Sequence, residues 1–384
     1  MRVLRAVRSV CEWGAVSVVC LGSLLCAPTR ALAVDPPGDT TQWVDAKDLT
    51  VEGKGWSDTK SFYDRLPARA EGLVRPPVWH LSRDSAGLCV RFATDATTIQ
   101  ARWSLLSDSL AMPHMPATGV SGVDLYTKVE GRWRWVGVGQ PARTEGNMAT
   151  LVSGLPPGQR EFLLYLPLYN GVRSVEVGVA GGHAVDRPAA RPESRRKPLV
   201  FYGTSITQGG CASRPGMVHT AILGRRFDRP VINLGFSGNG KMEPEMADLL
   251  ATLDPAVYVL DCLPNMSPGE IKERVEPFVK KLRLAHPETP IVLAEDRTYG
   301  NAAVVPGPRQ ANAASRAALR AALERLVAAG VTGLHRVPGD AQLGDDGEAT
   351  VDGSHPTDLG FVRMADAFGA VLGPLLGAPS QADK

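Results

Sequence analysis

Ser205, Asp352 and His355 are the residues whose types and spacing could do chemistry together, with Gly238 and Asn265 as their companions. A neutral serine hydroxyl is a poor nucleophile, so it needs a base within hydrogen-bond reach, and histidine titrates near working pH. His355 is the candidate base. The imidazole in turn needs an acceptor that holds its tautomer and stabilises its charged form, and Asp352, three residues earlier, reaches it through a tight Asp352-Gly353 turn. Attack on a carbonyl develops an oxyanion. The backbone N–H groups of Ser205 and Gly238 and the Asn265 amide would supply three donors, each worth roughly 3 kcal/mol of transition-state stabilisation. The chemistry such a set can perform is acyl transfer through an acyl-enzyme.

These residues must be brought together by strand ends. Leu199 to Tyr202, Val231 to Leu234, Val257 to Asp261, Ile291 to Ala294 and Gly333 to Val337 read as apolar strands. Between and after them lie helical stretches at about Met217 to Phe227, Glu243 to Thr252, Pro268 to Ala285, Arg309 to Ala329 and Pro356 to Leu372. Alternating strand and helix predict a parallel, doubly wound sheet, whose carboxyl ends open onto one edge where ligands bind. Ser205 follows the first strand, the Gly235 to Gly240 turn the second and Asn265 the third. Asp352 and His355 follow the fifth and open the last helix.

Taken singly, each residue has a plainer reading. Ser205 could be an ordinary helix cap, Asp352-Gly353 an ordinary turn and His355 a helix-start residue. Asn265-Met266-Ser267 is formally a glycosylation acceptor, though its place at a strand end argues against a glycan. Together, five residues of the right type at the ends of the strands favour a site over coincidence.

Gly203-Thr204-Ser205-Ile206-Thr207, the Gly238 turn, Asn265 and Asp352-Gly353-Ser354-His355-Pro356 resemble the four blocks of the SGNH (GDSL-type) hydrolases, in order, over about residues 197–378. Gly122-Val123-Asp124-Leu125-Tyr126 resembles the G-x-D-L-Y signature of a module that precedes a subset of these enzymes. The resemblance implies a flavodoxin-like three-layer catalytic domain and a metal-free, cofactor-free esterase mechanism. It implies for Ser205, Gly238, Asn265, Asp352 and His355 the roles given above. Thr204 stands where the name-giving motif has Asp, and Met266 where many members have Asp; neither change removes a catalytic group.

The first residues have the form of a cleavable leader. Arg2, Arg5 and Arg8 precede an apolar run from about Gly14 to Cys26, and Ala31-Leu32-Ala33 offers a cleavage site. The run is too short to span a bilayer, which takes ~20 residues. The expectation is therefore export, to the periplasm or beyond, without membrane insertion. Losing residues 1–33 takes four Arg and one Glu from 42 basic and 40 acidic residues, leaving 38 and 39. Such a near-neutral chain has no basic field for nucleic acid or anionic membrane. The expected partner is a small-molecule or glycan ester substrate, and no residue pattern speaks to oligomeric state. Cys89, Cys211 and Cys262 remain, an odd and widely spaced set that is neither a disulfide framework nor a metal signature. Cys211 and Cys262 each follow a strand of the site, and buried thiols are expected, with a bridge as the lesser alternative.

Residues 34–184 read as a different domain. Short alternating segments at about 86–93, 98–103, 123–129, 134–138, 160–166 and 172–179 predict an antiparallel, jelly-roll-like β-sandwich. Trp43, Trp56, Trp79, Trp103, Trp133 and Trp135 all lie here, as core filler rather than a sugar-stacking platform. The Pro-rich, basic stretch 185–198 reads as a solvated linker, 199–378 as the catalytic domain and 379–384 as a tail. His80, His114, His183, His219, His286 and His335 lack ligand spacing and read as structural or surface residues. Glu295-Asp296-Arg297 reads as a salt-bridged surface loop more than a substrate wall.

The expected function is hydrolysis of small acyl esters, acetyl on carbohydrates above all, the last step resting on analogy with SGNH enzymes that carry β modules. Two alternatives remain: transfer of the acyl group to another alcohol, and a carbohydrate-binding protein whose sandwich does the work.

Overall fold

A computed structural model describes residues 40–377. The expected leader and the tail 379–384 lie outside the described residues. Two antiparallel sheets form the first part. One holds β1 (Gln42–Asp45), β9 (Val172–Val179), β4 (Ile99–Leu105) and β7 (Asn147–Val152), in that order. The other runs β2 (Thr50–Glu52), β3 (Cys89–Thr94), β8 (Arg160–Tyr165), β5 (Val123–Val129) and β6 (Arg132–Gly139). A single helical turn, α2 (Ala117–Val120), leads into β5. Residues facing inward from both sheets, among them Phe92, Trp103, Leu125, Phe162 and Val175, make the sandwich core. Strict in-out alternation along β4 places Ile99, Ala101, Trp103 and Leu105 there, as period-two patterning requires.

The second part is a five-stranded parallel sheet in the order β11 (Val231–Gly235), β10 (Leu199–Gly203), β12 (Val257–Asp261), β13 (Ile291–Ala294) and β14 (Leu334–Val337). The order reverses at β10, so the crevice at its carboxyl end is the switch point of a flavodoxin-like fold. Helices α5 (Pro244–Leu250), α6 (Pro268–Ala285) and α7 (Pro306–Ala328) cover one face; α4 (His219–Phe227) and α8 (Asp358–Leu375) cover the other. Helix α6 starts where the sequence says it should. Ser267 and Glu270 form a reciprocal capping box and Pro268 occupies the first turn.

Part of the amino-terminal chain covers the parallel sheet. Trp56, Leu66, Ala70, Val74, Val78 and Trp79, from the stretch that includes α1 (Pro76–Leu81), pack against Val200, Ile232, Leu234 and Phe236 of the parallel sheet. This stretch has no period of its own because it is a covering segment, shaped by the surface it lies on. The supposed linker is also docked. Arg191 is buried and ion-paired with Glu52, and the backbone of Asp186 bridges to Ala93. Its longest unbroken exposed run is 192–197, the part that fits a solvated connector.

The G-x-D-L-Y residues tie the two parts together. Asp124 is fully buried and accepts from Trp135 Nε1 (2.9 Å), Arg214 Nη1 (2.8 Å) and the Gly216 N–H (2.8 Å). Tyr126 receives the Arg225 guanidinium over its ring at 3.9 Å. Leu125 goes to the sandwich core. Removing one partner of a buried ion pair leaves the other uncompensated. Asp124→Ala is expected to cost about 3 kcal/mol of stability, read as a lowered midpoint in denaturant unfolding. All six tryptophans among the described residues have protein partners, although Trp135 is half exposed and so is no core filler: Arg102 lies over Trp43, Trp56 donates to Thr252, Arg83 lies over Trp79 and Trp103 donates to Ser121. Lys128 lies over Trp133, and Trp135 is held by Asp124.

His219 opens α4 and is fully buried, its ring stacked at 5.9 Å on Phe361 and flanked by Phe201 and Phe368. Neither ring nitrogen has a hydrogen-bond partner among the described residues. Burial pushes its pKa down to about 3, from 6.5. The folded chain thus keeps this ring neutral while the unfolded chain protonates it, so its contribution to stability declines as pH falls from 6.5 towards 3. His219→Leu is expected to lose about 3 kcal/mol less than the unmodified protein between pH 7 and pH 4, measured by urea unfolding at both values.

Candidate active site

Ser205 is the first residue of α3 (Ser205–Gln208), a single turn that starts directly beyond β10 and ends at Gly209, whose φ is +120°. The cap reading of this serine is answered by its neighbour. Thr204 is the N-cap, its Oγ1 accepting from the Ile206 N–H at 3.2 Å, which leaves the Ser205 hydroxyl uncommitted to the backbone. The departure from the name-giving motif therefore preserves the turn: a threonine oxygen does what a carboxylate can do there.

The Ser205 hydroxyl lies 2.8 Å from His355 Nε2, and His355 Nδ1 lies 2.8 Å from Asp352 Oδ2. The other carboxylate oxygen, Oδ1, accepts from the backbone N–H groups of His355 (2.8 Å) and Ser354 (2.9 Å). Asp352 thus bonds both ends of the turn it begins. Partial burial works against its charge, but these N–H groups and the imidazole outweigh it and bring the pKa down to about 2. With a carboxylate fixed on Nδ1, that nitrogen carries the proton and Nε2 faces the serine as an acceptor. Three residues scattered over 150 positions of sequence meet as nucleophile, base and orienter require.

The Phe236–Gly240 turn lies against β10. The Phe236 N–H donates to the Gly203 carbonyl at 3.0 Å, and Gly203 and Gly235 are paired in register. A Cβ on Gly235 would collide with the backbone nitrogen of Gln208, so only glycine lets α3 rest on the end of β11. Gly238, exposed with φ of +68°, is the tip. The N–H groups of Ser205 and Gly238 donate to no acceptor among the described residues. Asn265 stands beside this turn. The hydrogen-bond network assigns its amide the orientation in which Oδ1 accepts from the N–H groups of Asn239 (3.0 Å) and Gly240 (3.2 Å), which leaves its NH2 group as a donor. The opposite orientation would set NH2 against those two donors, in return for a 3.5 Å contact with the Phe236 carbonyl.

Further residues support the site, and of these Tyr169 carries no signal in the sequence. Tyr169, from the amino-terminal part, donates its hydroxyl to the Ser205 carbonyl at 3.0 Å. His114, at the tip of a Met112–Met115 bridge, is exposed, in keeping with the surface reading, and its ring lies 6.0 Å from that of His355. Asp261 ends β12 beneath α3, where Thr207 donates to it at 3.1 Å; burial pushes its carboxyl up to about 7. Glu295, Asp296 and Arg297 are buried, which corrects the surface-loop reading. Arg297 pairs with Asp296 and donates to the Ser354 carbonyl (3.2 Å) and hydroxyl, bracing the turn that carries His355. Cys211 and Cys262 are separate, buried thiols, as is Cys89. No local pattern could have marked Tyr169, since it acts across the boundary between the two parts.

A family profile described as GDSL-like lipase/acylhydrolase matches residues 196–373, and one described as the N-terminus of SGNH-hydrolase-type esterases matches 41–185. A Bacteroides ovatus protein described as a GDSL-like lipase shares 35% identity, with a TM-score of 0.83, over 88% of this chain and 99% of its own. The chain belongs to the GDSL-like lipase/acylhydrolase family. Two further solved structures share the hydrolase's fold at lower identity. The salicylyl-acyltransferase SsfX3, from a tetracycline biosynthetic pathway, is 20% identical with a TM-score of 0.69, over 87% of this chain and 97% of that one. A family two carbohydrate esterase from Clostridium thermocellum, solved with cellohexaose, is 15% identical with a TM-score of 0.53, over 76% and 93%. A comparison with curated proteins gives no match. This family hydrolase is an esterase with an antiparallel sandwich ahead of its catalytic domain.

Proposed function

We propose that this hydrolase is an exported serine esterase that removes small acyl groups, acetyl above all, from carbohydrates. The observation that carries the reading is the Ser205, His355 and Asp352 chain of 2.8 Å contacts. Ser205 Oγ attacks the ester carbonyl carbon while its proton passes to His355 Nε2. The oxyanion accepts from the N–H groups of Ser205 and Gly238 and the NH2 of Asn265. As the tetrahedral intermediate collapses, the C–O bond to the alcohol breaks and His355 returns the proton to the leaving oxygen. Water, deprotonated by the same imidazole, then attacks the acyl-enzyme; the acid leaves and Ser205 regains its proton.

The carbohydrate part of the reading draws on the expected export and on the carbohydrate esterases that share this fold. Its test is a panel of short and long p-nitrophenyl esters beside acetylated glycans, followed as released acid. Acetate released from the glycans with loss of rate beyond short acyl chains is the expected result; preference for long chains would overturn it. The likeness to an acyltransferase over most of the chain favours a second reading, in which an alcohol replaces water in the last step. Product analysis with an added sugar acceptor separates the two.

A further inference from the structure

Gln208 is the last residue of α3, three positions after Ser205, and it is fully buried. Its Oε1 accepts from the Ser237 N–H at 3.0 Å. Its Nε2 donates to Asp84 Oδ2 at 2.9 Å and to the Leu168 carbonyl at 3.1 Å. Every hydrogen-bonding atom of its amide group is thus used, and the residue joins its own helix to three other stretches of chain. On one side is the helix of the nucleophile; on another is the residue immediately before Gly238. On the third are Asp84 and Leu168, both from the amino-terminal part of the chain.

Asp84 is itself anchored. Its carbonyl accepts from Arg65 Nε at 2.8 Å. Arg65, fully buried, donates through Nη1 to the carbonyls of Gly235 (2.8 Å) and Asn233 (3.1 Å), and through Nη2 to Leu81 (2.6 Å). One guanidinium therefore grips the end of β11 and the 81–84 stretch together, and holds Asp84 where Gln208 meets it. Buried polar networks of this kind are rigid when every member is satisfied.

We infer that Gln208, oriented by Asp84 and Arg65 of the amino-terminal part, is a positioning residue that fixes the Phe236-Ser237 peptide, and through it the adjoining Gly238 N–H, relative to Ser205. The inference rests on the reading of Gly238 N–H as an oxyanion donor. Ser205 N–H and Gly238 N–H belong to different loops, and the oxyanion must meet both at once. Gln208 joins those loops, and a misplacement of about 1 Å can cost on the order of 10²-fold in rate. The amino-terminal part is then a component of the catalytic machinery, which an appended sugar-binding module would not be.

The test uses the full chain and p-nitrophenyl acetate, with Ser205→Ala measured in parallel. Gln208→Met keeps the volume and removes the hydrogen bonds. It is expected to lower kcat ten- to a hundredfold, a part of the roughly 10²–10³ that one lost oxyanion donor costs, with KM within about threefold. Gln208→Glu keeps the acceptor for Ser237 but sets a carboxylate against the Asp84 carboxylate, and is expected to lower kcat at least tenfold. Adding Asp84→Asn gives that introduced carboxylate a donor to face, and is expected to return kcat to within about threefold of the unmodified protein. A merely structural glutamine would move the melting midpoint without this split between kcat and KM and without this rescue. If Gln208→Met does not fold, the comparison of Gln208→Glu with the Asp84→Asn, Gln208→Glu double variant decides alone. Wild-type kcat in Gln208→Met, or no rescue in the pair, with Ser205→Ala inactive, overturns the inference and leaves the proposed function standing. Activity in Ser205→Ala overturns both.

Discussion

Ser205→Ala is expected to lower kcat by about 10⁴-fold or more while leaving the fold unchanged, because the hydroxyl alone can form the acyl-enzyme. The substitution removes one oxygen from a partly buried position whose only side-chain hydrogen bond among the described residues is to His355, so the unfolding midpoint should move little. What remains after removal is the catalysis that oxyanion donors and binding supply to water, on the order of 10³ over the uncatalysed reaction. The measurement is steady-state hydrolysis of p-nitrophenyl acetate by purified variant, with circular dichroism to verify folding. Activity within tenfold of the original would require another nucleophile.

The second large effect is expected from Asp352→Asn. The amide keeps an oxygen for the N–H groups of Ser354 and His355, so the turn survives, but it replaces the acceptor opposite His355 Nδ1 with a choice of donor or acceptor. Presenting NH2 to Nδ1 stabilises the tautomer with the proton on Nε2, which cannot take the serine proton. Loss of the carboxylate also removes the charge that compensates the imidazolium in the transition state. Asp352 is half exposed, so water softens that second loss. The expected fall in kcat is on the order of 10²–10⁴ with KM little changed. A fall below tenfold would show that solvent suffices to orient the ring. Because the carboxyl stays ionised down to about pH 2, acid should not reproduce the substitution above that value.

The site was legible in the sequence because strand ends in a parallel sheet share an edge. Ser205, the Gly238 turn, Asn265 and the Asp352 to His355 run each follow an apolar strand, and parallel topology alone brings them near one another. The strands at 257–261 and 291–294 and the helix at 268–285 are readable to the residue, since the apolar periods change at those bounds and Pro268 suits a first helical turn. The segment from Gly53 to Ser85 was not, because its apolar residues answer to the surface of β10 and β11 and follow no internal repeat. Strand β7 was missed for a related reason: Met148 is exposed on it, where the alternating pattern expects a polar residue. Glu295 to Arg297 misled because three adjacent charges usually face water. Here they pair with one another and with Arg320, Arg336 and the Ser354 carbonyl. Partners so far away along the chain cannot be seen in a local window.

The covering stretch around Trp56 and Trp79 should let the chain survive being cut. Arg195, Arg196 and Lys197 form an exposed tryptic site between two halves that share one oily interior and a buried Asp124 to Arg214 clasp. A single nick there should produce two peptides on a denaturing gel but one particle on a sizing column, still turning over ester. Synthesised separately, the carboxyl-terminal half would have to bare the surface of Ile232, Leu234 and Phe236 to water, and should precipitate unless its other half is supplied in the same tube.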